Sequence, residues 1–422
     1  MQVRKTSFVG CAVLILLITA CGISSASSKG ENLLETFVLS APDKVRDYPQ
    51  EAAGGKTAFS YFHDEKIFVG WNLGNTLDSW RDGIGGETTW GNPYVNQDLM
   101  NGVKAAGYNI IRIPVTWMGS IGRQPDHIIT PSRLERVAEV VDMAHKAGLK
   151  AIINLHHDGS TPEQGKSDGW LLISKASRNE NEYNRITHQF ARMWDQIAAY
   201  FQNYGDWLMF ESMNEIHDGG WGWSDDFKMF PGKQLDIINK WNQIFLDRVR
   251  MTGGNNKTRY LIIPAYCTIP KQTLADTFIL PKDTVSDKLI VTFHYYDPYE
   301  FGILGSRASW GTLEEKLKID NDFAPFKTHF IDKNIPVIIG ECGAVLQLSS
   351  DKNREAQARQ SRSDYIAHVF SAAKRYHLVP IYWDNGVTSG NGEKFGLFDR
   401  RTGKPNSPDS EALIKMMVNA VK

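Results

Sequence analysis

The chain has 422 residues, of which 42% are hydrophobic and 23% are charged, so its composition excludes an intrinsically disordered protein. Its 47 basic and 48 acidic residues nearly cancel, which gives no general attraction to nucleic acid or to anionic lipid. We therefore expect a globular protein that acts on a neutral partner and has no nucleic acid partner.

The amino terminus has the pattern of a bacterial export signal. Basic residues Arg4 and Lys5 precede an apolar run that is too short for a comfortable membrane span, and small residues lead to Cys21. Residues 18–21, Ile-Thr-Ala-Cys, resemble a bacterial lipobox, which implies cleavage before Cys21 and lipidation of its thiol. We therefore predict a lipoprotein signal peptide at residues 1–20 and a secreted bacterial lipoprotein, anchored to a membrane through Cys21 at the cell surface or in the periplasm. An ordinary secretory signal that is cleaved nearby is the alternative.

A change of composition separates a tether from the rest of the chain. Residues 21–58 are rich in Ser, Lys, Gly and Glu with one weak apolar patch, as is typical of a linker. From residue 59 to residue 422, short apolar runs alternate with longer amphipathic stretches. We expect the tether to carry no chemistry and residues 59–422 to form a single domain.

Eight apolar runs predict eight strands with amphipathic helices between them. The runs occupy residues 67–75, 109–117, 150–158, 206–215, 260–267, 288–296, 336–343 and 379–386. Two helical patterns, over 132–148 and 183–205, end at Gly148 and Gly205 in the manner of a C-terminal cap. About eight strand-helix units favour an α/β fold of the closed (β/α)8 TIM barrel type over an open doubly wound sheet. No GxGxxG or GxxxxGK[ST] sequence follows the first strand, which argues against a nucleotide-binding sheet.

The cysteines and histidines do not predict a metal centre or another cofactor. If Cys21 is lipidated, only Cys267 and Cys342 remain in the mature chain for a disulfide, and this pairing stays open. No CxxC pair or other zinc-type spacing is present. His156 and His157 are adjacent in a predicted strand, so we expect them to point to opposite faces and not to chelate one ion together.

Polar side chains are predicted to converge at one end of the barrel, because the carboxyl ends of all its strands meet there. The residues near these strand ends are Arg112, His156, His157, Asp158, Asn214, Glu215, His294, Tyr296, Glu341, Trp383, Asp384 and Asn385. Glu211 lies one layer deeper, and we expect it to be a structural charge that pairs with an Arg inside the barrel. Arg112 is open to the same purely structural interpretation.

Two of these carboxylates, Glu215 and Glu341, are predicted to face each other across the barrel mouth. Glycoside hydrolysis needs one carboxyl group that is protonated, to donate to the leaving oxygen, and a second that is ionised, to attack the anomeric carbon or activate water. Arg112 and Tyr296 would keep the nucleophilic carboxylate ionised and oriented. The other predicted contacts are Asn214 for the sugar 2-hydroxyl, His156 and His294 for hydrogen bonds, and Trp383 for the floor under the ring.

Seven segments of the chain together resemble glycoside hydrolase family 5. They are GWNLGNTLD (70–78), RIPVTW (112–117), INLHHD (153–158), Asn214-Glu215, HYYDPY (294–299), IGECG (339–343) and YWDNG (382–386). The likeness extends over roughly residues 60–420, in order and in register with the predicted strands, and it is greatest to the subfamily 4 endoglucanases and xyloglucanases. Cys342 departs from the family pattern, which often has an apolar residue at that position.

The resemblance implies a retaining mechanism in which Glu215 is the acid/base and Glu341 is the nucleophile, with their carboxyl groups about 5 to 5.5 Å apart. It also implies supporting roles for Arg112, His156, Asn214, His294, Tyr296 and Trp383, a donor-side sugar contact for Asn72, and neighbouring contacts for His157 and Asp384.

These observations predict a monomeric retaining endo-β-1,4-glucanase that needs no cofactor. Its expected partners are β-glucan polysaccharides of the cellulose, mixed-linkage or xyloglucan type, together with the membrane that receives the lipid anchor. A β-mannanase on the same scaffold, a non-catalytic surface glycan-binding barrel and a metal-dependent hydrolase are the alternatives. In the segment 215–227, Trp221 and Trp223 either stack on further sugars or pack on the barrel rim, and the sequence leaves this choice open.

Overall fold

Eight parallel strands close into a barrel in the computed structural model of the protein, which describes residues 55–159 and 169–422. The barrel strands are β1 and β4 to β10, and β2 and β3 form a separate small hairpin. In chain order the strands are β1 Gly70–Leu73, β2 Trp80–Arg81, β3 Ile84–Gly85, β4 Ile110–Ile113, β5 Lys150–Asn154, β6 Leu208–Glu211, β7 Leu261–Pro264, β8 Leu289–Tyr295, β9 Val337–Cys342 and β10 Leu378–Asp384. Their order around the barrel is β1, β10, β9, β8, β7, β6, β5 and β4, and β4 pairs with β1. Each predicted apolar run coincides with one barrel strand, which confirms the predicted (β/α)8 TIM barrel.

Helices lie between the strands in the chain, and the longer ones cover the outside of the barrel. They are α1 Ala58–Asp64, α2 Gln97–Ala105, α3 Pro131–Lys146, α4 Ile173–Arg178, α5 Glu180–Tyr200, α6 Asp225–Met229, α7 Pro231–Met251, α8 Pro270–Thr273, α9 Tyr299–Gly302, α10 Leu313–His329, α11 Lys352–Arg375 and α12 Pro408–Val421. Single 3₁₀ turns occupy His157–Gly159, Gly254–Lys257, Tyr266–Thr268 and Ile331–Lys333. No helix in the described ranges has the length and apolar character of a membrane-spanning segment.

One of the two predicted helix ends is confirmed and the other is wrong. Helix α3 ends just before Gly148, whose φ of 82° is the left-handed conformation of a C-terminal cap. Helix α5 ends at Tyr200 and not at Gly205. The chain turns early because the carbonyls of Phe201 and Tyr204 accept hydrogen bonds from the buried Arg259 guanidinium, at 2.9 and 2.7 Å.

The barrel interior changes from apolar to polar along the strands. Its apolar layer consists of the inward-facing strand residues Ile110, Ile152, Met209, Ile262, Ile290, Ile338, Val379 and Ile381. Two residues further along β4, β5 and β6, the inward positions are Arg112, Asn154 and Glu211, all buried. Since alternate residues of a strand share a face, the polar layer lies on the carboxyl-terminal side of the apolar one, where the site was predicted.

Helix α1 closes the amino-terminal end of the barrel. Tyr61 and Phe62 belong to the same apolar cluster as the lower strand residues. The chain is held there by hydrogen bonds from Ala58 N to Asp287 O, at 2.7 Å, and from the Tyr260 hydroxyl to Lys56 O, at 3.1 Å. The described chain therefore begins at the end of the barrel opposite the predicted site.

A β-bulge in β9 turns Glu341 towards the barrel mouth. Phe293 pairs with Ile339 and His294 pairs with Glu341, so Gly340 is one extra residue in β9. Ile338 belongs to the inner cluster and Ile339 to the outer one, so strict alternation would direct Glu341 outwards, towards the helices. The extra residue reverses this, and Glu341 faces inwards.

Cys267 and Cys342 are both buried free thiols, so the disulfide left open by the sequence is not formed. Cys342 packs in the outer core, as expected, with its thiol 3.5 Å from Ile381 O. Cys21, the predicted signal peptide and the part of the predicted tether up to residue 54 lie outside the described residues.

Candidate active site

The two glutamates predicted to act as a pair lie close together although they are 126 positions apart in the sequence. Glu215 follows β6 and Glu341 lies in β9, and an oxygen of each carboxyl lies within 4.8 Å of the other. His294 lies between them, with Nδ1 2.6 Å from Glu215 Oε1 and 3.7 Å from Glu341 Oε2. Retaining glycosidases hold their carboxyls about 5 to 5.5 Å apart, whereas inverting enzymes need about 6.5 to 9.5 Å to fit a water molecule. The close approach of the two carboxyls agrees with the first class.

Arg112 lies at the centre of the site and contacts four side chains. Its Nε donates to Glu211 Oε2 at 2.7 Å and its Nη1 donates to Glu341 Oε1 at 2.7 Å. Nη2 donates to Asn214 Oδ1 at 2.8 Å, and Nη1 also reaches Asn72 Oδ1 at 3.2 Å. Arg112 is therefore the buried partner of Glu211, as expected, and it also forms an ion pair with Glu341.

Glu341 has hydrogen bond donors on both of its oxygens. The Tyr296 hydroxyl donates to Oε2 at 3.0 Å, opposite the Arg112 bond to Oε1. Burial raises the pKa of the Glu341 carboxyl above its usual value, and the charges of His294 and Arg112 act in the opposite direction. The contacts from Arg112 and Tyr296 favour the ionised, acceptor-only form of the carboxyl, which is the form that a nucleophile requires.

Glu215 has an environment that keeps its proton. Burial raises the pKa of its carboxyl to about 7, with a further upward contribution from Glu211 that is opposed by Arg112. Burial also lowers the pKa of His294 to about 4, so the ring beside Glu215 is neutral at pH 7. Glu215 is therefore largely protonated in mildly acidic solution and about half protonated at pH 7, so it can act as a proton donor.

The rings of Trp383 and His156 are stacked, and His156 lies beside Glu341. Their rings are parallel, with centroids 5.9 Å apart and planes within 8°. His156 Nε2 lies 3.8 Å from Glu341 Oε1, and burial lowers the pKa of this histidine well below its usual value. Gly74 leaves the space that Trp383 needs, since a Cβ there would lie 2.8 Å from the indole. A neutral imidazole and an indole of this kind can line the face of a sugar ring.

The prediction that His156 and His157 point apart is wrong. Strand β5 ends at Asn154, and His157 begins a 3₁₀ turn, so strand alternation no longer applies to this pair. Their ring centroids lie 4.5 Å apart, and His157 Nε2 lies 3.8 Å from Asp78 Oδ2. Trp90 packs beside the His157 ring at 5.4 Å.

Two groups of described side chains bring enough ligand atoms together to hold a cation. They are Asp78 with His156 and His157, and Glu215 with His294 and Glu341. In both groups the carboxylates already have donors from the protein: Asp78 accepts from the backbone N–H groups of residues 75 and 76, and Glu341 accepts from Arg112.

The backbone on either side of Glu215 is held by the turn that follows β7. Cys267 N donates to Ile216 O at 3.1 Å, and the Thr268 hydroxyl donates to Asn214 O at 3.3 Å. Both residues of the turn have φ values in the left-handed region, 57° for Cys267 and 54° for Thr268. Such conformations are uncommon for side chains with a Cβ and cluster at functional sites. The turn therefore holds the backbone of the residues before and after Glu215 in place.

Two of the predicted sugar contacts are instead structural. Asn72 is fully buried, accepts from Arg112 and donates to Gly340 O at 2.9 Å, so its amide orients Arg112 and does not reach the mouth. Asp384 is also fully buried, and its oxygens accept from the Trp71 indole and the Arg400 guanidinium, both at 3.0 Å. It faces outwards because it alternates with the inward Trp383.

The structure adds residues that the sequence analysis did not assign. Asp78 and Trp90 lie beside His157, Gly340 forms the bulge at Glu341, and Thr268 supports Asn214. Asp78 lay within the segment GWNLGNTLD, in the loop that follows β1, and an acidic residue in that segment was a usable signal. The roles of Gly340 and Thr268 depend on contacts with other strands and had no local signal.

Comparison with known proteins identifies the family. The family profile described as cellulase (glycosyl hydrolase family 5) matches residues 77–389. Endoglucanase A of Paenibacillus barcinonensis is 35% identical over 353 residues, which cover 79% of this chain and 83% of that protein. The xyloglucan-specific endo-β-1,4-glucanase of Bacteroides ovatus is 33% identical over 369 residues, which cover 83% of this chain and 68% of that protein.

A solved structure agrees with this assignment. The GH5-4 broad specificity endoglucanase from Bacteroides salanitronis superposes with a TM-score of 0.79 and 38% identity, covering 89% of this chain and 98% of that one. The family profile covers about three quarters of the sequence, and the fold and the pair of glutamates agree with it. The chain belongs to glycosyl hydrolase family 5, the cellulase family.

Proposed function

We propose that the protein is a retaining endo-β-1,4-glucanase in which Glu215 is the acid/base and Glu341 is the nucleophile. The observation that carries the assignment is the separation of less than 4.8 Å between carboxyl oxygens in two different environments. One carboxyl has a pKa raised to about 7, and the other is held by Arg112 and Tyr296. Two titratable groups in such contrasting surroundings divide the acid and nucleophile roles.

The geometry supports a double displacement. Glu341 attacks the anomeric carbon while Glu215 donates its proton to the glycosidic oxygen, which leaves with the reducing-end part of the chain. The glycosyl group is then bound to Glu341 as an ester, and Glu215 is ionised. In the second step Glu215 takes a proton from water, the water oxygen attacks the anomeric carbon, and Glu341 leaves. Two inversions give net retention.

Supporting roles follow from the contacts. Tyr296 and Arg112 hold the Glu341 oxygens in the attacking orientation, and Arg112 compensates the charge that returns to them when the ester breaks. Asn214, at 2.8 Å from Arg112, presents its amide NH2 group for the sugar 2-hydroxyl. Trp383 supplies the flat surface for the ring that is attacked, with His156 beside it.

The substrate class follows from the relatives. The protein of Bacteroides ovatus is named for xyloglucan, and that of Bacteroides salanitronis is described as having broad specificity. We propose that this chain cleaves internal linkages of β-1,4-glucans, and that cellulose-type, mixed-linkage and xyloglucan polymers are its candidate substrates. Reducing-sugar release from carboxymethylcellulose, barley β-glucan, xyloglucan and mannan ranks them, and release from mannan alone would contradict the proposal.

Replacement of Glu341 by Ala tests the mechanism. We expect reducing-sugar release to fall at least about a thousandfold, since no other carboxylate can form the glycosyl ester. Circular dichroism and the melting temperature should show a folded barrel, because only one side chain at the mouth is lost. A folded Glu341→Ala protein with near wild-type activity would refute the role.

We also propose that the protein is a lipoprotein attached through Cys21. The lipobox-like residues 18–21 support this, and the described chain begins at the end of the barrel opposite the site, so a tether would leave the mouth free. In bacterial cells, wild-type protein should partition with membranes and Cys21→Ser with the soluble fraction. Equal partitioning of the two proteins would contradict the anchor.

A further inference from the structure

The loop that follows Glu215 exposes an apolar strip next to the site. Trp221 is 46% exposed and Trp223 is 73% exposed, and Met229 and Phe230 further along are 68% and 63% exposed. Tryptophans that packed on the barrel rim would be largely covered, as Trp383 is at 8%. Neither indole is buried against the barrel rim, so both have surface that is available to a ligand.

Hydrogen bonds hold this loop in one conformation. Asp218 is its hub: its carboxylate accepts from Gly220 N at 3.0 Å, from Gln234 Nε2 at 2.9 Å and from the Ser224 hydroxyl. Asp218 N in turn donates to the Tyr266 hydroxyl at 3.3 Å. The loop is thereby hydrogen-bonded to α7 and to the turn after β7, and these contacts support the segment that carries the exposed indoles.

The backbone presents the indoles at a conformational cost. Trp221 has a φ of 50°, which is uncommon for a bulky residue, and it is flanked by Gly219 and Gly222 at φ values of 96° and 79°. The His217 ring stacks under Trp221 at 4.0 Å with an interplanar angle of 28°. Strained backbone that is over-determined by its surroundings is found at ligand clamps.

The position of the loop specifies which sugars it would meet. Glu215 protonates the oxygen between the attacked sugar and the leaving one, so the leaving group must lie on the side of Glu215. The loop starts at Glu215 itself, whereas Trp383 and His156 flank Glu341. A β-1,4-linked glucosyl ring has equatorial substituents, so both of its faces carry only C–H groups and suit an indole surface.

We propose that Trp221 and Trp223 form a platform that binds glucosyl residues on the leaving-group side of the cleavage point. This inference rests on the proposed function, because it takes Glu215 as the proton donor. The platform favours substrates with two or more sugars beyond the scissile bond, and so directs cleavage to the interior of a chain.

The test compares a substrate that reaches the platform with one that does not. Cellohexaose can place several glucosyl residues beyond Glu215, whereas an aryl β-cellobioside places only its aryl group there. For Trp223→Ala and Trp221→Ala we expect the ratio of kcat/KM on cellohexaose to kcat/KM on the aryl cellobioside to fall about tenfold, which corresponds to one lost stacking contact. Trp223→Phe, which keeps a flat ring, should recover most of the ratio.

A matched control is Leu313→Ala, since Leu313 is also 73% exposed but lies at the start of α10. It should leave the ratio unchanged. An unchanged ratio in both tryptophan variants, or an equal loss on the two substrates, would overturn the platform. Wild-type protein that cleaves neither substrate would instead contradict the proposed function itself, so the two failures are distinguishable.

Discussion

Single residues set the charge states of the site, and Arg112 is the most important of them. An ionised carboxylate without a partner in a protein interior is several kcal/mol less stable than in water. Arg112 compensates two such groups, Glu211 and Glu341, with bonds of 2.7 Å to each. Burial is the main reason that the pKa of Glu215 is raised; the charge of Glu211 adds to this effect and the charge of Arg112 opposes it.

The pH dependence of activity follows from these charge states. The pKa of Glu215 is raised to about 7, so the acid loses its proton above that pH and kcat/KM on β-glucan should fall about tenfold per pH unit there. The pKa of Glu341 is also raised, so activity falls on the acid side as the nucleophile gains a proton. Initial rates from pH 4 to 9 at fixed ionic strength measure both the acid and the alkaline fall in activity.

A substrate that needs no acid provides the control for this pH profile. An aryl cellobioside with a strongly acidic phenol as leaving group forms the ester without protonation, so the alkaline fall in kcat/KM should disappear with it. If that fall persisted at the same pH, the basic limb would belong to another group than Glu215.

At the scale of secondary structure elements, the bulge in β9 connects the strand pattern to the chemistry. Alternation predicts which residues share a face only while the ladder is regular. Gly340 breaks the ladder one residue before Glu341, and a side chain there would meet Thr292 Oγ1 at 2.7 Å and His294 Nε2 at 3.1 Å. Both the inward orientation of Glu341 and the approach of His294 therefore depend on a glycine.

Replacement of Gly340 by Ala tests this dependence. The added methyl group displaces His294 or Glu341, so we expect kcat/KM to fall about 100-fold, while the free energy of unfolding falls by only about 1 to 3 kcal/mol. Gly232→Ala in α7 is the matched control, because a Cβ there meets nothing within 4 Å. It should keep full activity, and equal activity of the two variants would contradict the role of the bulge.

Comparison of the sequence-based predictions with the structure shows which features local sequence patterns can predict and which they cannot. The eight strands and the ends of helices such as α3 were readable because apolar runs and capping glycines are local signals. The pairing of His156 with His157 and the early end of α5 were not readable, because the first depends on where β5 stops and the second on the distant Arg259. Asn72 and Asp384 fall in family motifs, yet only their burial shows that they hold other residues.

At the scale of the whole molecule, the two ends of the barrel have separate tasks. Helix α1 covers the amino-terminal end, where Phe62 is 7% exposed among the lower strand residues, and the polar layer occupies the other end. Stability depends on the first end and catalysis on the second. An attachment point upstream of α1 would leave the mouth free to meet a polymer.

Replacement of Phe62 by Ala separates these tasks. The lost ring leaves a cavity under the barrel, so we expect the free energy of unfolding to fall by about 3 to 5 kcal/mol. Below the unfolding transition, kcat/KM should equal the wild-type value, because Phe62 and the glutamates lie at opposite ends. Denaturant unfolding and initial rates measure the two quantities. A loss of activity in a protein of unchanged stability would show that the ends are coupled.

The sequence alone determined the barrel class, the order of its strands in the chain and the two glutamates that the structure brings close together. These are local or periodic properties, since apolar runs and the residues that end them are readable one segment at a time. Only the tertiary structure decided which inward groups meet: Arg112 between Glu211 and Glu341, the turn at Cys267 behind Glu215, and the exposed Trp223. Closure of the barrel sets those distances, because it joins strands that are far apart in the chain, and no single segment contains that information.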